Sequence, residues 1–317
     1  MEWSYSGSKS FYRCQRRWYF QEILANSHPK AKDALRRETY LLSQLQSIEA
    51  WRGSVVDWVI KNQIIRSLSR LGRFSERRVL EYAKEIFDQQ LIFARNFRFR
   101  EDGMTKTKGD DQYAALFNLE YGIEIRDSEL EQAWNDIETA LRNLMGNDEI
   151  ITALREADQL VAQRTLYLHE DDFTVKAIPD VIAFYENEAP LIIDWKVHSA
   201  GRREYWLQLG CYALALTRSE PHSDFFCILP QQYGPNEVRL AEFQLLLPQV
   251  RWYSLTEEDV DAIEAYIFSS GTEMLLSLGE DGNDVKRPLE FSVTEYPEDC
   301  LSCPFQKLCG ADTLWVK

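Results

Sequence analysis

Apolar side chains recur at three- and four-residue intervals through the N-terminal half of the chain, the spacing of one helix face. Ser8 to Leu24 reads as a helix with Phe11, Cys14 and Trp18 on one stripe and Arg13, Arg16 and Arg17 off it. Lys32 to Ile48 continues helical through Leu35, Leu41, Leu42, Leu45 and Ile48. Trp51-Arg52-Gly53 breaks the run, and further helices are predicted from Ser54 to about Leu71, Ser75 to about Arg95 and Leu130 to Met145. Arg100 to Asp111, rich in Gly, Lys and Asp, is predicted to be a loop.

The period changes near Leu160. Thr165–His169, Thr174–Ile178, Val181–Tyr185 and Leu191–Val197 are short and rich in β-branched and aromatic residues, which predicts strands, with a turn over Glu186–Pro190. A helix from about Arg203 to Thr217 follows, then strands at Phe225–Leu229 and Val238–Leu247. Thr256-x-x-Asp259 resembles a capping box and opens a long helix to about Leu278. Helices, a sheet with a crossover helix, then a helix and a cysteine-bearing tail make an α/β protein with a large helical elaboration. Segment boundaries are expected at 1–50, 51–158, 159–250 and 251–317, within one compact unit.

Charge narrows the partners. The 317 residues carry 36 bases against 51 acids, a net −15, which argues against non-specific coating of duplex nucleic acid. Residues 1–37 run the other way, with eight bases and three acids, so a locally basic cleft able to hold phosphates stays open. No apolar run approaches the ~20 residues of a membrane span. The N-terminus also lacks the basic and apolar regions of a secretory signal. A cytoplasmic protein without membrane contact is expected.

The strand Leu191–Val197 places Asp194 and Lys196 on one face and Trp195 on the other. Charges inside a run as apolar as Ile192-Ile193 need partners, because an unpaired buried charge is costly. Upstream, Pro179-Asp180 interrupts the preceding strand, and a tight hairpin would bring Asp180 beside Asp194. Two close carboxylates repel each other and favour a hard divalent cation such as Mg2+ or Mn2+. A second Asp-x-Lys, Asp284-Val285-Lys286, lies in a Gly/Asp-rich loop and reads as solvated chance. Asp57 shares a helical stripe with Gly53, Ile60 and Ile64, which turns its carboxylate inward as a further candidate ligand. Gln208 and Tyr212 are one helical turn apart after the Asp-x-Lys strand, where they can orient Lys196 and hold a phosphate.

Pro179-Asp180, Asp194-Trp195-Lys196 and Gln208-x-x-x-Tyr212 together resemble the PD-(D/E)XK nuclease superfamily, and their order resembles its RecB-like exonuclease branch. The opening Tyr5-Ser6-Gly7-Ser8-Lys9-Ser10-Phe11-Tyr12-x-Cys14-x-Arg16-Arg17-Trp18-Tyr19 is similar to that branch's N-terminal motif. The resemblance implies a restriction-endonuclease-like mixed sheet flanked by helices and a nuclease cutting phosphodiesters with Mg2+ or Mn2+. It implies Asp180, Asp194 and the Trp195 carbonyl as metal ligands, Lys196 acting on the attacking water, and Gln208 and Tyr212 in support. The branch often carries histidine in a Gly-x-x-x-His pattern where this chain has Gly53-Ser-Val-Val-Asp57. Aspartate is also a hard ligand, so metal binding should survive the exchange while turnover need not.

Cys300-x-x-Cys303-x5-Cys309 supplies three thiolates, for which zinc is the default metal. The resemblance implies instead a 4Fe-4S cluster with Cys14 as fourth ligand, a staple between both termini. It would pin Arg13, Arg16 and Arg17 along a cleft as DNA-phosphate contacts. Cys211 and Cys227 read as core residues. The function expected is metal-dependent DNA hydrolysis, as exonuclease or endonuclease, in DNA repair, recombination or antiviral defence. The alternative is a catalytically weak nuclease-like subunit that binds DNA or a protein partner through its acidic surface or region 75–158.

Overall fold

The structure, a computed structural model, describes residues 1–26, 33–197, 205–223, 225, 232–279 and 288–310. Contacts group the chain into two compact units, each drawn from three stretches. The first comprises Met1–Tyr5, Arg52–Lys84 and Gln132–Thr272; the second comprises Ser6–Trp51, Glu85–Glu131 and Glu273–Lys317. The four consecutive segments expected from the sequence do not coincide with these units. Among the described residues no helix is long and apolar enough to cross a membrane.

The first unit holds both sheets. Strands β1 (Glu2–Trp3), β4 (Thr174–Ala177) and β3 (Leu166–His169) form one, in that order. The other runs β2 (Gln159–Ala162), β5 (Val181–Phe184), β6 (Leu191–Lys196), β7 (Arg239–Gln244) and β8 (Gln249–Tyr253). Every residue of β5 is buried, as is all of β6 save Lys196, so neither strand has a solvent face, and Asp194 is carried into the interior of an otherwise apolar stretch. β3 is exposed on alternate residues. β5 and β6 pair antiparallel across the turn predicted at Glu186–Pro190, whereas β6 and β7 pair parallel. A parallel step needs a crossover, and the helix Tyr205–Arg218 lies within that connection.

The predicted capping box closes as expected. The Thr256 backbone N–H donates to the Asp259 carboxylate at 2.8 Å, and the Asp259 N–H returns to Thr256 Oγ1 at 3.1 Å. The helix it opens, Glu257–Ser277, buries Val260, Ile263, Ile267 and Met274. A Cβ on Gly271 would overlap the Phe173 ring, whose Cε1 and Cε2 atoms would lie 2.6 and 2.7 Å away.

Four expectations are corrected. Gly53 does not interrupt its helix: Ile48–Val59 is continuous and runs through a π-helical turn, Ile60–Ile65, into Arg66–Leu71. A Cβ at Gly53 would meet nothing within 4 Å, so a lone glycine there carries only a propensity cost. The helix expected over Ser8–Leu24 is broken at Cys14, which adopts extended backbone between Tyr5–Arg13 and Gln15–Trp18. The strand expected over Val238–Leu247 stops at Gln244 and turns back as β8, which pairs with it antiparallel. Lys106–Gly109 and Asp110–Gln112 form short helical turns inside the predicted loop. The strand expected at Phe225–Leu229 falls largely outside the described residues, as does Cys227.

Candidate active site and thiol cavity

The first unit assembles its candidate site at the end of the β5–β6 hairpin. Val181 pairs with Ile193, so one step further Asp180 faces Asp194. Pro179 has no N–H to offer a ladder there. Asp180 Oδ2 instead accepts the Trp195 backbone N–H at 2.8 Å. Its backbone carbonyl accepts the N–H of Gln163 at 3.0 Å, and Gln163 is held at φ 50°, a conformation few side chains adopt.

Asp194 is only 3 % exposed, and Lys196 makes an ion pair with it. The Lys196 Nζ also donates to Gln208 Oε1 at 3.3 Å, and Gln208 Nε2 donates to the Tyr212 hydroxyl at 2.6 Å. The i, i+4 spacing on Tyr205–Arg218 makes that last link, and the strand–helix connection makes the first. Asp194, Lys196, Gln208 and Tyr212 thus form one hydrogen-bonded chain.

Asp57 lies within electrostatic reach of the same group. Burial, then the Asp194 charge, pushes its carboxyl up to about 7, and Lys196 offsets only part of the rise. Burial also lifts Asp180 well above the ordinary carboxylate range, with Asp194 and Asp57 adding to it and the Trp195 N–H opposing. Burial and the charges of Asp194 and Asp180 raise the Tyr212 phenol well above its usual value, so it stays protonated. Three acids share one amine, and hard oxygen donors in negative excess suit Mg2+ or Mn2+. Among the described residues no group of three or more His, Cys, Asp or Glu side chains is arranged to hold a metal ion, here or at the cysteines. At the hairpin the physical reason is plain: Lys196 takes up Asp194, and a backbone N–H takes up Asp180.

Two neighbours of this group escaped the sequence reading. Arg52, one turn and a little before Asp57, pairs with Asp136 and donates Nη2 to the Val197 carbonyl at 2.6 Å. It ties the Asp57 helix to the end of the Lys196 strand. Glu242 on β7 is the register partner of Asp194 and fully buried. Arg251 Nη1 and the Tyr253 hydroxyl both donate to it at 3.2 Å. A glutamate inside the apolar run Leu240–Phe243, two residues before the strand ends at Gln244, is the sequence trace of that arrangement.

The second unit brings Cys14, Cys300, Cys303 and Cys309 to the wall of one cavity of about 300 Å³. The Arg17 backbone N–H donates to Cys14 Sγ at 3.5 Å and Arg16 Nη1 to Cys309 Sγ at 3.9 Å. Burial pushes the Cys303 thiol up to about 11, with Cys309 and Cys14 adding and Arg17 opposing. Two of the four sulfurs, Cys14 and Cys309, thus meet N–H donors at the edge of this cavity. Cys211 is buried in the first unit, its thiol pushed up to about 12 by desolvation, as an inert core residue.

Of the arginines expected to grip phosphates, Arg16 is corrected to an internal strut. It is buried and donates to the carbonyls of Phe291, Cys309 and Leu289 at 3.2, 2.9 and 3.4 Å. Arg13 is held by both carboxylate oxygens of Asp299 and lies over the Tyr296 ring at 3.7 Å. Arg17 is exposed and lines the thiol cavity.

The sequence profile of the PD-(D/E)XK nuclease superfamily matches residues 2–310. No curated protein matches the chain. Seven chains of solved structures match it, among them one titled "Crystal structure of SSO0001", at 12 % identity and a TM-score of 0.29, covering 62 % of this chain and 79 % of that one. An overlap that low carries no argument.

The raised carboxyls set a pH dependence. Asp57 holds a proton in the folded chain up to about 7 but releases it near 3.8 when unfolded, so the folded state binds more protons between those values. In chelator, the free energy of unfolding is therefore expected to fall as pH rises from 4 to 7. Asp57→Asn should flatten that fall by on the order of 2 kcal/mol. Urea titrations of both proteins across the window check this; parallel profiles would contradict it.

Proposed function

This chain belongs to the PD-(D/E)XK nuclease superfamily, and from that premise we propose that it hydrolyses DNA phosphodiesters with Mg2+ or Mn2+. Membership indicates a nuclease-type hydrolase; the choice of DNA and the iron–sulfur cluster described below are our reading. The observation that carries the proposal is the chain Asp194–Lys196–Gln208–Tyr212 beside Asp180. Asp180, Asp194 and Asp57, with the Trp195 carbonyl, would hold the cation. Bound there, it supplies positive charge against the scissile phosphate. Lys196 stands where it can orient the attacking water and move its proton, and Gln208 fixes the amine through its Oε1. Tyr212, kept protonated, fixes the Gln208 amide in turn.

Cys14, Cys300, Cys303 and Cys309 would hold a 4Fe-4S cluster whose part is structural. Closing the long loop between Cys14 and Cys300 constrains the unfolded chain and fixes the N-terminal helix against the cysteine-bearing tail. The resemblance of residues 5–19 to the RecB-like branch, with one cysteine there and three near the C-terminus, supports this choice over zinc, and supports a role in DNA repair, recombination or antiviral defence.

Two measurements test the reading. On single- and double-stranded DNA with Mg2+ or Mn2+, Asp194→Ala and Lys196→Ala should each lower the cleavage rate about hundredfold or more. Gln208→Ala should lower it about tenfold, as expected for a group acting through Lys196. Equal cleavage by wild type and variants would overturn the assignment. Protein purified without oxygen should carry iron and sulfide with broad visible absorption, both lost in Cys14→Ser; stoichiometric zinc in their place would replace the cluster with a zinc site.

A further inference from the structure

The helical run that carries Asp57 ends in an unusual concentration of positive charge. Residues 61–79 contain six bases, Lys61, Arg66, Arg70, Arg73, Arg77 and Arg78, against one acid, Glu76, in a chain whose net charge is −15. All five arginines are exposed. Glu76 is itself taken up by Arg142, so it does not neutralise them. Among the described residues Arg66, Arg70, Arg73 and Arg78 form no ion pair, and Arg77 has only a loose one to Glu81 at 3.7 Å. Arg126, Arg142 and Arg218, which are also exposed, each hold a carboxylate, so four unmatched arginines within thirteen residues form a concentrated positive strip.

The local shape gives this charge a groove. Helix Arg66–Leu71 ends at Gly72 in the left-handed region, φ 63°, and Arg155 Nε donates to the Gly72 carbonyl at 3.2 Å. The next helix begins at Glu76. Between them lies a cavity of about 300 Å³ whose wall includes Arg73, Arg78, the half-buried Phe74 and the polar side chains of Gln63, Ser67 and Ser75. Guanidinium groups for phosphates and an aromatic face for a base are the two elements that a single nucleic-acid strand requires.

We infer that Arg66, Arg70, Arg73 and Arg78, with Phe74, form a track that holds the backbone of a single-stranded nucleic acid whose scissile bond lies at the Asp194–Lys196 site. The inference rests on the nuclease reading and adds to it the path of the substrate. At the helical rise, Arg66 and Arg70 lie about 14 and 20 Å along the run from Asp57, several nucleotides from the cut. The unpaired arginines make that path positive in a chain that is acidic overall.

The test reads binding and cleavage separately. In chelator, the anisotropy of a labelled long oligothymidylate reports affinity as a function of salt. Reversing two charges, Arg70→Glu with Arg73→Glu, should weaken binding at least about tenfold and make the log–log salt slope shallower by roughly 1.4. Lysine at both positions should retain most of the affinity. Arg126→Glu, in the other unit and removed from a carboxylate-paired site, should change it less than about twofold despite altering net charge in the same sense. Thermal midpoints within error of wild type would confirm that the exposed variants fold. Unchanged affinity and slope in the double variant, or an equal loss with Arg126→Glu, would overturn the track. Cleavage of a tetranucleotide, too short to reach Arg70, tests the nuclease reading independently: its complete absence in wild type with metal would sink that reading, while the binding result still decides the track.

Discussion

Asp57, Asp180 and Asp194 repel one another in a place where little water is present to screen them, and Lys196 supplies a single positive charge against the three. In water such a group would separate. Here the β5–β6 hairpin and the Asp57 helix hold its members within range, so part of the charge must be removed by protons or matched by a cation. Raised carboxyls answer the repulsion when no cation is bound. The same negative excess, made of oxygen donors, is what gives a divalent ion its binding energy. Rigidity is therefore a requirement of the site, and Arg52 contributes to it by fastening the Asp57 helix to the end of β6. Glu242, matched by Arg251 on the next strand, shows how the same sheet face handles a buried acid that has its own cation.

The second unit faces a different problem. Its cysteine-bearing tail is short, with helices of only five and four residues at Pro297–Leu301 and Gln306–Cys309. Such pieces have little capacity to hold themselves. Stacked rings fasten them in part: Phe20 lies on Phe305 at 5.2 Å and Tyr19 on Phe291 at 4.2 Å. Arg16 adds donors to three carbonyls of the same tail. Four sulfurs then meet at one cavity, and the break in the N-terminal helix at Cys14 is what turns the first of them there.

Much of this was legible in the chain because it depends on local period. Strand alternation placed Asp194 and Lys196 together, proline marked the end of pairing before Asp180, and helical spacing joined Gln208 to Tyr212. What stayed hidden depends on contacts across long sequence distances. Arg52 reads as part of a helix break until its guanidinium is seen on Val197, and Glu242 reads as one more strand residue until its register with Asp194 is known. Arg16 looks like a solvated base because nothing in its neighbourhood announces carbonyls some 275 positions away. The arginines of residues 66–78 are visible as letters, but only the folded chain shows that Arg66, Arg70, Arg73 and Arg78 meet no carboxylate among the described residues.

The central claim, that the hairpin acids and Asp57 act together as one divalent-cation site, is tested most directly by Mn2+ binding followed by electron paramagnetic resonance on the full chain. The account predicts that wild type takes up Mn2+ at a site that Asp180→Asn, Asp194→Asn and Asp57→Asn each weaken severely while the protein remains folded. Unaltered Mn2+ uptake in all three variants would contradict it.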